Sequence, residues 1–164
     1  MKPGIIVLMA LLGSPVWAQQ ELKSINNTVA DIGDDLNATA YMSSRCAGLF
    51  DGVIAYGGQN MAENVVEQYR QDSVDLTIGT ILIRMRQAEG WGLPAKDLNG
   101  EMENSLGETV RFSDMYEARF STNYQLTGTM MERDQVAIDD LDLCDEIAPR
   151  MRSLVINMLG EAAN

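Results

Sequence analysis

Between residues 37 and 56 the apolar side chains of Met42, Cys46, Leu49, Phe50, Val53 and Ile54 recur at spacings of three and four. That spacing collects them on one stripe of an α-helix. Thr39 stands where a cap would open this helix and Gly57-Gly58 where it would close, so a helix is predicted from Asn37 to about Tyr56. Beside the stripe, Ala40, Ser44, Gly48 and Gly52 fall at every fourth residue. Small side chains at that interval let a second backbone come close, which predicts a tight helix crossing inside the domain.

A longer helix is predicted from Asn60 to Glu89. Ala62, Val65, Val66, Tyr69, Val74, Ile78, Ile81, Leu82 and Met85 mark its buried side, and Glu63, Glu67, Gln71 and Asp75 the wet one. Gly90-Trp91-Gly92-Leu93-Pro94 ends it, and the stretch to about Ser105, rich in Gly, Asn and acidic residues, is expected to be a surface loop. The next helix, Gly107 to Leu126, carries Val110, Phe112, Tyr116, Phe120 and Tyr124 as an aromatic core stripe and stops at Thr127-Gly128. In the final amphipathic run, Leu141, Cys144, Ile147, Met151, Leu154, Val155, Met158 and Leu159, a proline intervenes at position 149. Proline is tolerated in a first helical turn and breaks an interior one, so this helix is expected to begin near Asp145, with Val136 to Cys144 a separate turn or short helix.

A weaker periodicity, Ile25, Val29, Ile32 and Leu36, runs through Gln19 to Asn37 and suggests a loose first helix, although Gly33 interrupts it. No segment alternates with period two between hairpin signals. The expected fold class is therefore all-α: a small helical bundle of about four main helices with short connections.

The first residues change the count of elements. Lys2, the apolar run Gly4 to Leu12, the breakers Gly13, Ser14 and Pro15, and Val16-Trp17-Ala18 read as a cleavable secretory signal peptide, residues 1–18, with the cut after Ala18. The run is shorter than the roughly 20 apolar residues that cross a bilayer. Residues 19–164 are then expected to form a single helical domain, periplasmic or secreted, without a stable membrane anchor after cleavage. In an oxidising compartment Cys46 and Cys144, the only two cysteines, are expected to form one disulfide. Without the leader, 11 basic side chains face 24 acidic ones, a formal charge of −13. Such a balance excludes nucleic acid and anionic lipid as partners, because both are bound through Lys and Arg.

The chain contains no histidine. That removes the commonest general base and transition-metal ligand, and every Ser-His or Cys-His nucleophile. Asp97, Asn99, Glu101, Ser105 and Glu108 fall at positions one, three, five, nine and twelve of an EF-hand-like calcium loop. However, the glycine sits at the fourth position, Gly100, where that loop needs it at the sixth, so a solvated acidic loop without a cofactor is the preferred expectation. The cluster Asp139, Asp140, Asp142, Asp145 and Glu146 reads as acidic complement to a helix N-terminus. Arg45, one residue before Cys46, is expected to pair with this run once the disulfide brings the segments together, and Asp145 is the nominated partner. No catalytic residue is nominated.

Tyr41, Arg45, Cys46, Gly48 and Leu49, followed by the later Leu143-Cys144, give the chain a local pattern that resembles small secreted helical proteins of unknown function from aquatic bacteria and their phages. The resemblance implies no activity. The expected function is that of an exported, non-catalytic accessory factor that interacts with another protein. The alternative is a periplasmic protein that takes an apolar or cationic small molecule between Tyr- and Met-lined helices. A carboxylate-based hydrolase stands third.

Overall fold

The computed structural model describes residues 22–29, 35–90, 92 and 98–162. The signal-peptide expectation over residues 1–18, the breaker residues Trp91, Leu93 and Pro94, and Asp97 lie outside the described residues. Within them the chain is all helix: α1 (Ile25–Val29), α2 (Leu36–Gly57), a 3-10 turn (Gly58–Asn60), α3 (Glu63–Gly90), α4 (Leu98–Thr127) and α5 (Gln135–Ala162). Four of these are long, as the periodicity predicts. The first weak periodicity resolves differently, because Ile25 and Val29 belong to the short α1 whereas Leu36 opens α2.

Helix α2 is the hub and packs along α3 and α4, while α5 lies chiefly on α3. Its N-terminus is capped by Asp35, whose side chain accepts the Asn37 N–H at 2.9 Å. The small-residue stripe serves both neighbours. A Cβ on Gly48 would stand 2.4 Å from the Phe112 Cβ and 2.6 Å from the Thr109 carbonyl oxygen, so α4 closes on α2 only because that position is glycine. On the α3 side the Thr80 hydroxyl donates to the Leu76 and Ala40 carbonyl oxygens at 3.0 and 3.4 Å. Cys46, Leu49, Phe50, Val53, Leu76, Phe112, Tyr116, Phe120, Ala148 and Met151 form the centre of one continuous core.

Three expectations about helix limits and faces are corrected. Helix α4 starts at Leu98, nine residues before the expected Gly107, so half of the anticipated surface loop is helical. The reason is tertiary: Glu101 and Ser105, polar in sequence, are buried and face Arg84 of α3. Helix α5 is continuous through Pro149, since Cys144, Ala148, Met151 and Val155 are buried on both sides of the proline. Packing of that stripe outweighs the single backbone hydrogen bond that the missing N–H withdraws from the Asp145 carbonyl. On α3, Val74 faces solvent and Asp75 is buried, the reverse of expectation. Arg152 of α5 reaches across and donates from Nε to Asp75 and from Nη2 to Asp72, both at 2.6 Å. That fork satisfies two carboxylates a simple amphipathic reading assigns to water.

Candidate functional site

The centre of the molecule is polar. Arg45 of α2 is almost fully buried, and its guanidinium is distributed among four acceptors. Nε donates to the Tyr116 hydroxyl at 2.8 Å, Nη1 to the Tyr41 hydroxyl at 3.3 Å, and Nη2 to the Lys23 carbonyl oxygen at 2.6 Å and to Asp140. The other Asp140 oxygen accepts the Ile25 N–H at 2.5 Å, and the Tyr116 hydroxyl donates to the same oxygen that meets Arg45. Arg45 and Asp140 thus tie the segment Lys23–Ile25 into the core from both sides. Cys46 and Cys144 form a disulfide beside this network, with their Cα atoms 5.3 Å apart.

Arg45 therefore pairs with the acidic run near Cys144, but with Asp140 and not Asp145. The helix register explains the choice. Asp140 precedes Cys144 by four residues and shares its face, whereas Asp145 lies about 140° further round the helix. Asp145 is exposed, and the charges it senses, from Asp72 and Asp142, are of its own sign.

Burial alone would lower the Arg45 guanidinium, but the Tyr116 hydroxyl and the Asp140 carboxylate around it push it up instead. The Tyr116 phenol is pushed up by burial foremost, with the Asp140 charge adding to the rise and the Arg45 charge opposing it. Tyr116 is thus held neutral. A neutral, fully enclosed phenol between two ions is a structural group, poorly placed for nucleophilic or acid–base work.

Above Arg45 a partly open groove of about 560 Å³ lies between α1 and α4. Leu22, Lys23 and Thr28 form one wall. Glu108, Arg111, Phe112 and Met115 form the other, at spacings that place them on one face of α4. Tyr41 and Arg45 make the floor, with the Tyr41 ring set edge-on to Phe112 at 5.5 Å. The volume falls in the range that holds a small organic molecule.

The calcium-loop residues have a different setting from the one their spacing suggested. Asn99, Glu101, Ser105 and Glu108 occur on the first turns of α4, a helix and not a loop. Arg84 of α3 pairs with Glu101 at 3.5 Å and with Glu108, and donates to the Ser105 hydroxyl at 3.4 Å. Among the described residues no group of three or more His, Cys, Asp or Glu side chains is arranged to hold a metal ion. The groove itself was missed in sequence, because it needs α1 folded against α2 and α5, and no periodicity reports that. Of its aromatic and Met lining, Phe112 was visible only as part of the aromatic core stripe and Met115 gave no signal.

No protein-family model matches the chain, and no match was found among the curated proteins or the solved structures.

Proposed function

We propose that the protein is an exported, non-catalytic binding protein whose site is the groove between α1 and α4. One observation carries this reading: a concave space lined by Tyr41, Phe112 and Met115 includes in its lining Arg45, which is tied into a fully buried, hydrogen-bonded ion-pair network. Side chains held in place by such a network are what ligand sites require, since ordering costs are then met before the ligand arrives. The absence of histidine from the sequence and the enclosure of Tyr116 weigh against catalysis. Export rests on the leader sequence, and a disulfide with no membrane-spanning helix among the described residues is compatible with it.

A second reading, docking of another protein, draws on a different surface. Met102, Leu106 and Val110 stand on successive turns of α4 and are 41%, 50% and 56% exposed. Apolar side chains so aligned are a feature of interaction faces.

Native mass spectrometry of the protein purified from its own host separates the two. A retained small molecule, lost on Tyr41→Ala substitution, supports the groove. A stoichiometric co-purifying chain, lost on Leu106→Asp, supports the α4 face and removes the groove as the principal site.

A further inference from the structure

We infer that the groove selects an amphipathic organic anion, a one- or two-ring or short acyl body bearing a carboxylate or sulfonate; this inference rests on the reading of the groove as the binding site. The chain as a whole is strongly acidic, with 24 acidic against 12 basic side chains, which by itself favours cationic ligands. The groove reverses the sign locally. Of the four charged side chains that line it, Glu108 is neutralised by Arg84 and Arg45 by Asp140, both within the protein. Lys23 and Arg111 both line the groove, are exposed, and make no ion pair among the described residues. Two uncompensated cations therefore border one mostly apolar slot.

The floor adds a donor of the same polarity. Arg45 has five N–H groups. Four are directed to Tyr116, Tyr41, the Lys23 carbonyl and Asp140, and the fifth, on Nη1, has no acceptor among the described residues. Because Arg45 is part of the groove lining, an acceptor entering the groove can reach this N–H, and anionic oxygens are the strongest acceptors. Leu22, Phe112 and Met115 supply the apolar surface that a ring or acyl chain would cover. Head and body are thus both specified: negative charge toward Lys23 and Arg111, apolar body against Leu22, Phe112 and Met115.

Matched ligands that share one body and differ in charge test this: 1-naphthoate, 1-naphthalenemethanol and 1-naphthylmethylamine. Each is titrated calorimetrically into the full protein, with NMR of the Leu22 and Met115 methyl groups locating the site. The expected result is that naphthoate binds at least about fivefold more tightly than the neutral alcohol and that the amine binds weakest, with the preference shrinking in high salt. Arg111→Glu and Lys23→Glu, both at exposed side chains, should each abolish the preference without changing thermal unfolding. Equal binding of the three, or preference for the amine, overturns the anion assignment and leaves the groove standing. No binding by any of them, with no shift at Leu22 or Met115, overturns the groove as a site as well.

Discussion

The guanidinium of Arg45 and the carboxylate of Asp140 meet across 95 residues of sequence, and solvent reaches neither. A buried pair of this kind stabilises little through its own attraction, because both ions have been stripped of water. Its importance lies in what the loss of one partner leaves uncompensated. Here the pair also holds main-chain groups of Lys23 and Ile25, so it adds to the core burial of Ile25 in keeping α1 on the bundle.

Asp140→Ala is expected to destabilise the protein by about 3–5 kcal/mol, measured by urea unfolding with the disulfide intact. The double substitution Arg45→Met with Asp140→Leu should cost less than the two single changes added together, because it leaves no orphaned charge. Amide hydrogen exchange would show the local consequence, with Ile25 losing protection before α2 does. Similar costs for the double and the summed singles would refute the coupling.

Gly48 and Gly79 answer differently to alanine. A Cβ at Gly48 meets the Phe112 Cβ at 2.4 Å and the Thr109 carbonyl at 2.6 Å, neither of which can withdraw without moving α4. Gly48→Ala should therefore cost about 1–3 kcal/mol. At Gly79 the obstacle is the Met151 sulfur at 2.2 Å, part of a flexible side chain. There the gain in helix propensity, about 1 kcal/mol, offsets most of the repacking. Thermal melts of the two variants that fall together would show the distinction to be wrong.

Burial raises the Asp51 carboxyl above its ordinary value, against a hydrogen bond from Ser73 that lowers it. A carboxyl raised in the folded state contributes stability that is fully present below the unfolded value and lost as pH rises through the folded one. Asp51→Asn should accordingly be more stable than the parent at neutral pH, with the difference disappearing once the pH falls below about 4. Denaturant midpoints taken across that window read the effect directly. A difference that persists in acid would assign it to something other than ionisation.

Ser43 is wholly buried and its hydroxyl has no hydrogen-bond partner among the described residues. Replacing it by alanine removes an unsatisfied polar group at little cost in volume. Ser43→Ala should raise stability by about 1 kcal/mol in the same urea assay. Destabilisation would mean that the hydroxyl has an acceptor.

The helical class and the Cys46–Cys144 bridge were legible in the sequence because each rests on a local or binary signal: apolar spacing for the helices, two cysteines for the bridge. The α2 stripe of Ala40, Ser44, Gly48 and Gly52 was legible for the same reason, since absent side chains are as periodic as present ones. Periodicity failed where polar groups are buried in pairs. Asp72 and Asp75 look like solvent residues until Arg152 arrives from α5, and Glu101 looks like loop until Arg84 arrives from α3. Both partners lie far away in sequence, so no window on either helix contains the compensation. The pairing of Arg45 was half legible: the bridge brings it to the acidic run, but the choice of Asp140 over Asp145 depends on residues 136–144 belonging to α5, where the proline argued for a separate turn.

Joining Cys46 to Cys144 has a topological result as well as a thermodynamic one. The covalent circle it draws contains the rest of α2, all of α3 and α4, and the first third of α5, while both chain ends lie outside it. A protease that cuts once between α3 and α4 would release nothing: the two pieces would remain one molecule, and their helices would stay in register. Loss of material from this protein therefore begins outside that circle, and the Lys23–Ile25 segment, whose main chain is hydrogen-bonded to Arg45 and Asp140, is where a single broken ion pair would be felt first.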